Sequence, residues 1–158
     1  MDSPIIATAA AALPVLLVWA GAVDIFTSAI PNKAVLLLAA SFGLFAIMAG
    51  MPFTAIAAHI ACGGAVLAFG FLFFSSGLIG GGDAKLLAAA SLWFGFGNLL
   101  PFIAATALAG GVLSLVTLAV SVAKAQLAPG GTPPRTIPYG AAIAAGALGI
   151  LPDWIASL

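Results

Sequence analysis

Charge is nearly missing from this sequence. Its 158 residues include four Lys or Arg, four Asp or Glu and one His, so charged residues make up 5% and the formal net charge is zero. A soluble domain carries about 25% charged residues. With 64% apolar residues and a mean hydropathy of +1.30, the chain cannot cover a water-facing surface, and its solvent is expected to be lipid. No basic cluster exists to follow a phosphate backbone, so nucleic acid is not expected as a partner. Cysteine is scarce too. The lone Cys62 can close no intrachain disulfide and build no Cys-rich zinc site. Inside its apolar run it reads as a small buried residue. The opening Met1-Asp2-Ser3-Pro4 lacks the positive region of a signal peptide, so the first apolar stretch reads as a permanent span.

Apolar runs, by contrast, are everywhere. A helix needs roughly 20 apolar residues to cross about 30 Å of hydrocarbon. Six candidate spans follow: about Ile5 to Val23, Ala34 to Ala49, Phe53 to Phe74, Ala84 to Phe96, Leu100 to Val122 and Tyr139 to Leu151. Their stops are Asp24 with Ile30-Pro31-Asn32-Lys33, then Gly50-Met51-Pro52, Ser75 to Gly82, Gly97-Asn98, and a Pro- and Gly-rich stretch from Lys124 to Pro138. Pro152-Asp153-Trp154 sits near the end of the last span. Pro14 and Pro101 fall in or near spans, which lipid-buried helices tolerate. The expected fold is therefore all-α: one polytopic membrane domain over residues 1–158, with about six transmembrane helices. Gly64 with Ala68, and Gly110 with Ser114, are expected to form small-residue packing surfaces.

The few charges orient this array. Lys33, Lys85, Lys124 and Arg135 all lie in or beside three connections on one side, while the other side holds only Asp2 and Asp153. Basic residues stay on the cytoplasmic side. Both termini are thus expected outside and the three basic connections inside.

That orientation brings two acids to one face. Asp24 and Asp83 lie at the inner boundary on different helices, where an ionisable group costs several kcal/mol unless paired or hydrated. Two neighbouring carboxylates do not ionise independently: the first charge hinders the second, and the pair can share one proton. One member can then take a proton from water while the other donates to a carbonyl, the division of labour in aspartic proteases. Taken alone, Asp83 reads equally well as the N-cap of span four, and Gly80-Gly81-Gly82 as a flexible turn or a close backbone approach. Asn32 reads as the cap of span two, after Pro31 ends the connection. Lys85 reads as an interfacial anchor. His59, toward the outer half of span three, reads as a packed or interhelically bonded histidine.

Asp24 with Ile30-Pro31-Asn32, then Gly80-Gly81-Gly82-Asp83-Ala84-Lys85, resembles the type IV prepilin peptidases, membrane aspartic peptidases with a Gly-x-Gly-Asp motif. The short form from Flp/Tad pilus systems is the nearest branch. Ile137-Pro138-Tyr139-Gly140-Ala141-Ala142-Ile143-Ala144-Ala145-Gly146 is similar to it as well. The resemblance implies that Asp24 and Asp83 are the catalytic pair, that Gly80 and Gly82 shape the backbone beside Asp83, and that Pro31 and Asn32 position the segment after Asp24. It implies a prepilin substrate with a short basic leader ahead of an apolar helix, cut at the cytoplasmic face of the bacterial inner membrane. Longer members carry an insertion with paired cysteines and N-methylate the new terminus. This chain has no such insertion, so peptide cleavage without methyl transfer, without metal and without cofactor is expected. Many relatives have basic residues after the first aspartate. Here Ile25-Phe26-Thr27-Ser28-Ala29 stands there, so leader recognition through basic residues in that segment is not expected.

Two other classes compete. A small proton- or cation-coupled transporter or channel subunit also uses intramembrane acids, but both acids here sit at one edge and leave the midplane without any. A scaffold with a degenerate site is disfavoured by the intact acid pair. Serine or cysteine catalysis needs a base beside its nucleophile, and neither His59 nor Cys62 falls near the polar face.

Overall fold

The computed structural model describes residues 9–127 and 137–156, with no account of the side chains of residues 124–127. Asp2, the start of the first expected span and Arg135, with most of the polar stretch around it, lie outside the described residues, as does the side chain of Lys124. Five helices follow one another: α1 (Ala12–Thr27), α2 (Asn32–Met48), α3 (Phe53–Ser75), α4 (Gly81–Leu127) and α5 (Tyr139–Ala156). The expected stops explain most boundaries. Ser28 takes a left-handed conformation (φ 53°), and its N–H returns to the Asp24 carbonyl at 2.8 Å to close α1. Pro31 and Pro52, both extended, precede α2 and α3. Gly50 and Gly77 provide positive φ after α2 and α3.

Three of these helices, Phe53–Ser75, Gly81–Ala123 and Tyr139–Ala156, are long and apolar enough to cross a membrane, while α1 and α2 are apolar but have 16 and 17 residues. Large apolar side chains face outward: Phe53, Leu100 and Ile47 are each at least 75% exposed. So wide an apolar exterior fits lipid and not water. Among the described residues five helices stand where six spans were expected, and α4 holds the fourth and fifth as two helical segments meeting at a kink. The expected stop at Gly97-Asn98 is helical, and the discontinuity lies at Gly95, with φ 60° and ψ −176°. This is a region of backbone space open essentially to glycine alone. Helix α5 also runs past Leu151 and through Pro152.

The break in α4 is closed by side chains from its neighbours. His59 on α3 places Nδ1 2.6 Å from the Leu92 carbonyl, which makes Nδ1 the protonated nitrogen. Trp154 on α5 donates its Nε1–H to the Trp93 carbonyl at 3.1 Å, and Trp93 donates its own to the Leu38 carbonyl of α2 at 2.9 Å. The His59 ring stacks on Phe42 at 5.3 Å. Phe45, Trp93, Phe94 and Trp154 interlock beside it with ring centres 5.2 to 6.1 Å apart. His59 is thus packed and interhelically bonded. Cys62 is fully buried and free.

Of the two expected packing surfaces, one is displaced. Gly64 and Ala68 are exposed, and the residues of α3 that meet α4 are Gly63 and Gly70. A Cβ on Gly70 would stand 2.9 Å from Ala84 Cβ. The contacting face is set by the direction of Cα–Cβ bonds, which small-residue spacing alone does not give. Gly110 does pack, against Tyr139 and Ala142 of α5.

Candidate active site

The two acids of interest sit at helix ends. Asp24 occupies the last turn of α1 and is 5% exposed. Its Oδ2 accepts the Gly140 backbone N–H at 2.7 Å, and the N–H of Ala141 also faces the carboxylate. The Gly140 N–H is a first-turn donor that α5 cannot satisfy itself, whereas the Ala141 N–H also donates to the Pro138 carbonyl at 3.1 Å. Pro138, just before α5, has no side chain able to cap it. Asp24 does so from 116 residues away.

Asp83 lies in the first turn of α4, but not at its cap. The helix begins at Gly81, so Asp83 is its third residue and Gly80 the cap. Asp83 Oδ2 accepts the Gly80 N–H at 3.2 Å, the backward half of a capping box. The sequence alone placed Asp83 one role too early, because any of three glycines could open the helix.

Both carboxylates line one cavity of about 490 Å³, together with Ser28 to Ile30, Gly77 to Gly82, Ile137 and Tyr139. The charge of Asp24 is felt at Asp83. The glycines around them fit without a methyl to spare. A Cβ on Gly80 would lie 2.6 Å from Asp83 Oδ2, and one on Gly140 would lie 2.9 Å from Asp24 Oδ2 and 3.0 Å from Ile30 Cδ1. A Cβ on Gly82 would stand 3.1 Å from Ile30 Cβ. Ile30 is thus the wedge against which glycines of two distant segments close.

The other expected residues take supporting places. Pro31 precedes α2 and Asn32 opens it. Asn32 makes no capping bond, contrary to the expectation. Its Oδ1 instead accepts from Lys85 Nζ at 3.3 Å, linking the start of α2 to the start of α4. Lys85 is exposed and does not line the cavity. Sequence reasoning did not single out Ile30, Tyr139 or Gly140 as site residues. The available signal was the Ile137-to-Gly146 stretch, whose Gly140 sits where Asp24 needs an unobstructed N–H.

Pairs of carboxyl groups in one partly apolar cavity can hold a water and share a proton, and backbone N–H groups hold each carboxylate in place. No curated protein and no solved structure matches the chain. The model of the type IV leader peptidase family matches residues 11–115, a stretch with both aspartates, Pro31, Asn32, Gly80, Gly82 and Lys85 but without α5. That match covers well over half of the sequence, and the chain belongs to the type IV leader peptidase family.

Proposed function

We propose that this membrane protein is an aspartic prepilin peptidase of the short Flp/Tad kind, which removes the leader without methylating the new terminus. Asp24 and Asp83 are its catalytic pair. What carries the reading is that the two acids, on helices far apart in sequence, line one cavity rimmed by the motif glycines. Membership of a peptidase family weighs against a transporter. Six spans, α4 counting as two through Gly95, would leave both acids at the cytoplasmic face.

In this mechanism the pair holds one water and one shared proton. The ionised carboxylate takes a proton from the water as it attacks the scissile carbonyl. The protonated carboxyl donates to the developing oxyanion. The C–N bond then breaks as the amine leaves with a proton, and no covalent intermediate forms. The glycine-lined wall from Gly77 to Gly82 lets an extended substrate backbone approach Asp83. The test is cleavage of a cognate prepilin by Asp24→Asn and Asp83→Asn variants with insertion verified. Each is expected to lose roughly 10³-fold or more in kcat/KM. Full activity in either refutes the assignment.

A further inference from the structure

A second cavity, about 530 Å³, adjoins the first and shares Ile79, Asp83 and Tyr139 with it. Its direction follows from helix geometry. Leu87 lies one turn beyond Asp83 on α4, and Ile143 one turn beyond Tyr139 on α5, and both line it. Residues four apart share a helix face, so the cavity is a trough that leaves the carboxylates and descends between the helices. The second half of α4 forms its far wall, from Ile103 to Ser114. Gly110 packs against Tyr139 and Thr106 against Gly146, so the wall below the acids runs from Gly110 back to Ile103, seven residues at 1.5 Å each or roughly 10 Å, about a third of the hydrocarbon depth. The first cavity is mixed polar and apolar, while this one is overwhelmingly apolar. Polarity therefore changes at Asp83.

We propose that this trough seats the apolar helix of the substrate, while the leader lies across the first cavity. The inference rests on the peptidase reading above and adds where the substrate binds. The change of lining at Asp83 matches a substrate that is polar before the scissile bond and apolar after it. The two cavities meet at Ile79, Asp83 and Tyr139, which line both, so a chain cut at the aspartates has an apolar exit along α4. The wall also suits a polypeptide helix better than a lipid chain. Ala107 and Gly111 on it are exposed, and a Cβ on Gly111 would meet nothing within 4 Å. Small residues at such spacing let a second helix backbone come close. Gly111 is the position where added bulk enters the trough without disturbing the enzyme's own packing.

The test uses the full chain in proteoliposomes with a cognate prepilin. Gly111→Leu is expected to raise KM and lower kcat/KM by about tenfold or more. Gly43→Leu is the control: it sits on α2, away from either cavity, and also has nothing within 4 Å of its Cβ position. It should cleave at the wild-type rate. A second measurement does not depend on cleavage. With Cys62 buried, Gly111→Cys offers the accessible thiol among the described residues. It is expected to form a disulfide, under mild oxidation, with a single cysteine placed in the substrate's apolar helix, whereas Gly43→Cys is not. Wild-type cleavage by Gly111→Leu, absence of that crosslink, or equal crosslinking at residue 43 overturns the proposal. A trough filled by lipid gives the first two results. Full activity of Asp24→Asn or Asp83→Asn instead overturns the peptidase assignment and leaves the crosslink to speak for the trough alone.

Discussion

The two ends of the helix bundle meet the same physical demand with opposite chemistry. Backbone polar groups away from water need partners, and lipid supplies none. At one end the orphans are the N–H groups that open α4 and α5, and carboxylates accept from them: Asp83 from Gly80, Asp24 from Gly140. At the other end the carbonyls of Leu92 and Trp93 precede the break in α4, and His59 and Trp154 donate to them. The donor end is filled by stacked aromatic rings, whereas the acceptor end is hollow. Trp93 lies ten residues along α4 from Asp83, about 15 Å. The starts of α4 and α5 therefore recruit acids, and acids beside a cavity bring chemistry. A helix break recruits neutral donors, which bring rigidity.

The contrast breaks most sharply at the acid end. In Gly80→Val the new side chain takes the place of Asp83 Oδ2, 2.6 Å from the added Cβ. That oxygen is the tip of a side chain, so it rotates away and the fold survives. Prepilin cleavage should fall about 100-fold or more, with little change in melting temperature in detergent. A large loss of stability with normal activity in the surviving fraction would reverse the roles assigned to the two ends.

At the other end the expected effects fall on stability. Gly95→Ala adds a Cβ at φ 60°, 2.8 Å from the His59 ring, which is locked by Phe42 and the Leu92 carbonyl. A strained backbone and a clash together should cost about 3 kcal/mol. Trp154→Phe keeps most of the buried area but removes the donor to the Trp93 carbonyl, for about 1–3 kcal/mol. In both, thermal unfolding should move while correctly inserted enzyme keeps its kcat. A Gly95→Ala protein as stable as wild type would mean the break is not needed.

These long-range partnerships also mark what the sequence could reveal. Span ends fixed locally were legible: Pro31 and Pro52 placed α2 and α3 within two residues of the expected 34–49 and 53–74. The break in α4 was legible to within two residues, expected at Gly97-Asn98 and found at Gly95, because Phe94-Gly95-Phe96-Gly97 offers two glycines. Which one bends depends on the ring of His59 on another helix. The acid pair was visible as rare charges at one depth. Its pocket was not: Ile30 looks like an ordinary apolar residue until Gly82 and Gly140 close on it, and Tyr139 looks like a span start until it lines both cavities.

Lys85 tests the boundary between site and scaffold, with the smallest expected effect. It stands two residues from Asp83, yet it faces outward and reaches Asn32 at 3.3 Å. An exposed hydrogen bond of that length is worth little, and surface substitutions away from special features stay within about 0.5 kcal/mol. Lys85→Met should therefore leave the melting temperature nearly unchanged. If the bond to Asn32 only ties α2 to α4, Lys85→Gln, which can still donate to Asn32, should match wild type in kcat, and Lys85→Met should fall by no more than about threefold. If both variants lose activity equally, the positive charge itself matters at the acid end. The hollow end would then work through a third charged group, and the contrast with the neutral, filled end would become sharper.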